Sequence, residues 1–118
     1  LKGACETMKK LFKCSVCSLV YEGESAPDKC PKCGQAKENY VELSAEAAAL
    51  VYKSERTNDI HMEIITLADQ IVKLAKEGNE INLDPNCVLG FTKAIAGAYA
   101  TKQNSKAELE NHMKKGKW

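Results

Sequence analysis

At 118 residues, with 17 Lys and Arg against 16 Asp and Glu, the chain has room for about one domain, or for a small metal module and a small helical one. A net charge of +1 without a long basic run gives no electrostatic footprint for nucleic acid. No stretch reaches the ~18 apolar residues that span a bilayer, and Leu1-Lys2-Gly3-Ala4-Cys5 lacks the apolar core of a secretory signal.

Met8-Lys9-Lys10-Leu11-Phe12 has the look of a natural start, with residues 1–7 then an added or native extension, which makes Cys5 a poor residue to build on. Leu11-Phe12-Lys13 is a short β-prone stretch that runs into Cys14-Ser15-Val16-Cys17. Ser18-Leu19-Val20-Tyr21 continues it with β-branched and aromatic residues, so a small hairpin is expected around the first Cys pair. Gly23 and Glu24-Ser25-Ala26-Pro27-Asp28 form a turn-rich connection. The second pair follows as Cys30-Pro31-Lys32-Cys33-Gly34, where Gly34 can take the positive φ that turns backbone N–H groups toward sulfur. Tyr40-Val41-Glu42-Leu43 reads as a third strand.

Two C-x2-C loops twelve residues apart are the strongest chemical signal in the chain. Each can wrap two sulfurs around one side of a metal, and two facing loops complete an S4 tetrahedron from Cys14, Cys17, Cys30 and Cys33. The competing reading, four unpaired or disulfide-linked thiols, fits the spacing poorly. An S4 site suits zinc or iron alike, and spacing does not separate them. Six cysteines, four of them in these loops and Cys5 and Cys87 isolated, do not distribute like a secreted disulfide scaffold, so a reducing, cytoplasmic setting is expected. A segment this short cannot bury enough apolar surface to fold alone, and the metal is expected to supply the difference.

After Leu43 the composition turns helical, so the expected architecture is α+β: a metal module over residues 8–43, then an all-α region of three to four helices over 44–118. Ser44 is the expected N-cap of a helix from Ala45 to Tyr52, with Glu46 placed against its dipole. The polar run Lys53–Asp59 either breaks that helix or lies on its solvated face, and Thr57 and Asn58 are candidate caps for a second. In that second helix Ile60, Ile64, Leu67, Ile71 and Leu74 line one face, widened by Ile65, Ala68, Val72 and Ala75. Gly78 and Asn79 read as its stop. Asp84-Pro85 opens a third helix with apolar Val88, Phe91, Ile95 and Ala98, and with small residues Gly90, Ala94 and Gly97 beside them. Ser105-Lys106-Ala107-Glu108 has the form of a capping box for a short fourth helix that closes near Gly116, with Lys114-Lys115-Gly116-Lys117 as cations at its C-terminus. The stripe from Ile60 to Leu74 is expected to be intramolecular core, with some self-association of the helical region.

Phe12-Lys13-Cys14-Ser15-Val16-Cys17, Val20-Tyr21-Glu22-Gly23, Ala26-Pro27, Cys30-Pro31-Lys32-Cys33-Gly34 and Lys37-Glu38-Asn39-Tyr40 resemble a rubredoxin, and the short interval resembles the compact rubredoxin domain of rubrerythrins. The resemblance implies one iron on Cys14, Cys17, Cys30 and Cys33 that cycles between ferric and ferrous states. It implies that Cys17 and Cys33 lie nearer the surface as the electron exit, and that Phe12, Tyr21 and Tyr40 form an aromatic core below the metal. Ser18 departs from the family's usual Gly, so either Ser18 is strained or the turn differs, and the redox potential would feel it.

Rubrerythrins pair such a domain with a peroxide-reducing di-iron bundle built on Glu-x-x-His pairs. Asn58 and Leu109 stand three residues before His61 and His112, so neither pair exists here. Glu63, Asp69, Glu108 and Glu110 read as solvated helix surface, the two histidines as surface residues, and Cys87 as a small core residue rather than a reactive thiol. The favoured function is a one-electron carrier, not an enzyme, whose helices dimerise or dock a redox partner, with neither nucleic acid nor membrane as partner. The alternatives are a structural zinc ribbon and a degenerate rubrerythrin relative with a peroxide-linked role.

Overall fold

The computed structural model describes residues 9–118, so Cys5 and the proposed start at Met8 lie outside the described residues. The chain divides into two compact units, Leu1–Tyr52 and Lys53–Trp118.

The first unit is built on three short strands, β1 (Lys10–Cys14), β2 (Val20–Gly23) and β3 (Tyr40–Glu42), in the order β2-β1-β3 with both pairings antiparallel. Phe12 stands opposite Tyr21 on one side and Glu42 on the other, and Cys14 stands opposite Tyr40. Leu11, Phe12, Cys14 and Cys30 are its buried apolar residues. That is a very small core, and both of its cysteines belong to the paired loops. A 3-10 turn at Lys37–Asn39 leads into β3, and the Leu43 N–H donates to the Leu11 carbonyl at 2.8 Å, which closes the sheet.

Two helices follow, where three to four were expected. Helix α1 is continuous over Ala45–Ile81 and α2 over Pro85–Lys114. Ser44 caps α1 as its sequence indicates, its Oγ accepting from the Ala47 N–H at 3.1 Å. Asp84 caps α2, its Oδ1 accepting from the Cys87 N–H at 2.7 Å, with Pro85 at the first helical position. The other expected ends do not form. Lys53–Asp59 contains neither Gly nor Pro, and Asn58 is buried mid-helix instead of capping. The helix passes Gly78 and stops at Ile81, where Asn82 takes φ 52°. Ser105 is also buried mid-helix, so its capping-box pattern is not used.

In the second unit the two helices run antiparallel, because partners on α2 fall in number as those on α1 rise. Asn58 meets His112, His61 meets Ser105, Asp69 meets Lys102, and Asn79 meets Thr92. The seam on α1 is Asn58, His61, Ile65, Ala68, Val72 and Ala75, at alternating spacings of three and four residues. Its half nearest the hairpin's turn is apolar, and its other half is polar and hydrogen-bonded. Gly78 is an interior requirement rather than a stop: a Cβ there would lie 2.3 Å from the Phe91 ring. The stripe Ile60–Leu74 is not the core of the hairpin. Leu67, Ile71 and Leu74 are exposed, because the series one residue further on forms the seam. No helix among the described residues is long and apolar enough to cross a membrane.

Candidate metal centre

The two Cys loops fold to one pattern. In the first, the Ser18 N–H donates to the Cys14 carbonyl at 2.9 Å and the Cys14 N–H to the Leu19 carbonyl at 2.9 Å. In the second, the Gly34 N–H donates to the Cys30 carbonyl at 2.9 Å and the Cys30 N–H to the Gln35 carbonyl at 2.8 Å. Four residues after the first Cys of each pair, the chain needs a left-handed residue, and Gly34 supplies it at φ 75°. Ser18 occupies the same place in the first loop at φ 70°. The turn is therefore kept, and Ser18 bears a conformation that a side chain disfavours by roughly 1–2 kcal/mol.

This backbone turns N–H groups toward sulfur. Cys14 Sγ receives the N–H groups of Cys17 and Val16, and Cys30 Sγ those of Cys33 and Lys32. Cys17 and Cys33 receive those of Leu19 and Gln35. The four sulfurs lie within 4.8 Å of one another, with Cys14–Cys33 at 3.7 Å and Cys17–Cys30 at 3.5 Å. A tetrahedron with metal–sulfur bonds of about 2.3 Å has edges of about 3.8 Å, so a single metal ion fits the set. Among the described residues, these four cysteines are the group placed to hold a metal.

Proton affinities split across the cluster. The Cys17 N–H is the main cause that holds Cys14 below the usual thiol range. Burial opposes ionisation of Cys30, but the Cys33 N–H, the Tyr40 hydroxyl, the Lys32 N–H and the Cys17 thiol outweigh it and bring Cys30 to about 6. For Cys33 the Gln35 N–H favours the thiolate, yet burial and the Cys30, Cys14 and Cys17 sulfurs push it up to about 12. For Cys17 the Leu19 N–H is likewise outweighed, by burial and the Cys30 and Cys14 sulfurs, and its affinity rises. Two thiolates in so small a volume suppress the next two, and a bound cation removes that penalty.

Exposure divides the ligands in the same way. Cys14 and Cys30 are 0% and 3% exposed, while Cys17 and Cys33 are half-buried, the ordering that the resemblance implies. Phe12 is buried, and Tyr21 and Tyr40 are half-buried. The Tyr40 hydroxyl is buried without a hydrogen-bond partner of standard geometry. Burial first, and then the Cys30 sulfur, raise its proton affinity, so Tyr40 stays protonated and presents a donor to Cys30. The resemblance implies for Tyr40 only a place in the aromatic core below the metal; its register opposite Cys14 on β3 is what brings its hydroxyl to the cluster.

The remaining candidates belong to the helical unit. Glu63, Asp69 and Glu110 are exposed and pair with Arg56, Lys102 and Lys114. Cys87 is half-buried and free. His61 and His112 are not surface residues. His61 Nδ1 is 2.9 Å from Ser105 Oγ, His112 Nδ1 is 2.6 Å from Asn58 Oδ1, and His112 Nε2 is 3.3 Å from Glu108 Oε2. Their rings meet edge to face at 6.1 Å. Their Nδ1 partners lie on the opposite helix, so the residues flanking each histidine in sequence do not reveal them.

Residues 12–41 match the protein family described as "Rubrerythrin, rubredoxin-like domain". The chain is also similar to the curated protein "Reverse rubrerythrin-1" of Clostridium acetobutylicum, 40% identical over 90 residues that cover 75% of this chain and 44% of that protein. The chain thus spans less than half the length of that relative. No solved structure matches it. The duplicated loops, the tetrahedral sulfur set and the family match agree: the amino-terminal module of this chain is a rubredoxin-like domain.

Proposed function

We propose that the module is a one-electron carrier that holds a single iron through Cys14, Cys17, Cys30 and Cys33. Iron in four thiolates supplies reversible ferric–ferrous exchange. The observation that carries this reading is the duplicated loop. Rigid backbone turns fix both ends of the sulfur set, and six N–H groups aim at the sulfurs. Ligands held this way keep one geometry in both charge states, which keeps reorganisation small, and the N–H dipoles favour the more negative, reduced state. Cys17 and Cys33, half-exposed, offer the route to a redox partner protein. No covalent bond of a substrate is made or broken. A reducing setting such as the cytoplasm suits four sulfurs that must remain thiolates.

The test is to express the chain with iron available and purify it without chelator. One iron per chain, a red ferric form and complete bleaching by one electron equivalent are expected. Colourless protein that keeps one zinc after iron reconstitution would overturn the carrier and leave a structural zinc ribbon.

A further inference from the structure

The four sulfurs are not supplied with donors evenly. Both loops deliver the same backbone set: two N–H groups to the first Cys of each pair and one to the second. As far as the main chain goes the loops are equivalent, down to the left-handed residue that ends each turn. Tyr40 breaks the equivalence. Its hydroxyl stands at Cys30, whereas Cys14, the matching sulfur of the first loop, has no tyrosine among its donors.

A second observation points the same way. The Tyr40 hydroxyl is buried, yet no acceptor meets it at standard hydrogen-bond geometry. A hydroxyl that has given up water costs stability unless something accepts its proton. The Cys30 sulfur is the acceptor on offer. It becomes a strong one only as a thiolate, since hydrogen bonds to charged acceptors are roughly twice as strong as neutral ones.

Strand register holds the pair together. Tyr40 stands opposite Cys14, the Ser15 N–H donates to the Asn39 carbonyl at 2.9 Å, and the Leu43 N–H donates to the Leu11 carbonyl at 2.8 Å. The backbone that carries the ring is therefore pinned on both sides, while the hydroxyl hydrogen can still turn about its C–O bond. The backbone N–H groups have no such freedom.

We propose that Tyr40 sets the reduction potential of the loaded site: its O–H donates to Cys30 Sγ, and the bond tightens in the reduced state, where the sulfurs carry more negative charge. Tyr40 is thus a positioning residue that acts through Cys30, and the inference rests on the carrier reading above. Hydrogen bonds to sulfur are one control on the potential of iron–thiolate sites, and this one favours the reduced form. It comes from a side chain, so deleting one oxygen removes it, which holds for none of the backbone donors.

The test compares the iron-loaded full chain with Tyr40→Phe, which keeps the ring, and with Tyr21→Phe, the same deletion elsewhere in the aromatic core. Equilibration with a redox dye of known potential should show the ferric form of Tyr40→Phe favoured about tenfold over wild type, about 59 mV for one electron. Its sulfur-to-iron absorption should move to lower energy, because a thiolate relieved of a hydrogen bond donates charge more readily. Tyr21→Phe should match wild type in both. A measurement on the unmutated chain covers a Tyr40→Phe that folds or loads poorly: with cadmium in place of iron, NMR should show the Tyr40 hydroxyl proton coupled to the metal through Cys30 Sγ. An unchanged potential in Tyr40→Phe, an equal shift in both variants, or a hydroxyl proton without that coupling overturns the inference and leaves the carrier reading intact. A wild-type chain that takes up no iron overturns both.

Discussion

The two units of this chain solve the same problem in opposite ways. The metal module has a core of a few residues and relies on chemistry at four atoms, held by backbone turns. The hairpin has no comparable centre and relies on a long seam, part alanine and aromatic, part hydrogen-bonded polar groups. The lesson lies in what each tolerates. A thiolate site fails when one sulfur is lost, whereas a seam loses stability in increments.

The largest effect should come from Cys14→Ser or Cys33→Ser. Apparent metal binding energies of ~10–16 kcal/mol in small zinc modules exceed anything so small a sheet can replace. The expected outcome is loss of the β-strand amide dispersion by NMR with helical circular dichroism largely kept. Helices that melted along with the sheet would make the chain one cooperative body.

A smaller effect is expected at Gly78. Gly78→Leu forces a side chain against the Phe91 ring and should lower hairpin stability by about 1–3 kcal/mol, read from denaturant unfolding followed by circular dichroism. The visible spectrum of the iron-loaded module should not move. A Cβ added at Gly97 meets nothing within 4 Å, so Gly97→Ala should not lower hairpin stability, and the pair separates an interior glycine from an exposed one.

The smallest effect is expected at Ser18. Ser18→Gly removes a side chain from a left-handed turn and should stabilise the loaded module by about 1 kcal/mol, less the extra chain entropy of glycine. Slower metal loss to a competing chelator would register it. A faster loss would mean that the serine side chain contributes something the turn alone does not.

How much of this was legible from the residues follows the same division. Metal-ligand spacing is short-range chemistry, so the two loops, the three strands and the positive φ open to Gly34 could be read locally, whereas at Ser18 the residues left a strained serine and a different turn both open, and the structure shows the strained one. The Ser44 and Asp84 caps were legible for the same reason. The number of helices was not, because Asn58 and Ser105 are residues that cap helices as readily as they fill a polar seam. Only the partners across the hairpin, His112 and His61, decide between those uses. Gly78 misled in the same way, since its neighbour Phe91 lies on the other helix. The Ile60–Leu74 stripe is apolar on any scale, but a helix with two adjacent apolar series does not announce which faces its partner. The resemblance implies the aromatic core below the metal, but not that the Tyr40 hydroxyl donates to Cys30, a contact set by strand register.

The most direct measurement is amide hydrogen exchange on the iron-loaded chain before and after the metal is removed by chelator. The account predicts that protection disappears from Lys10–Cys14, Val20–Gly23 and Tyr40–Glu42 and persists along Asn58–Ala75 and Phe91–Leu109. Strands that stay protected without metal would contradict it.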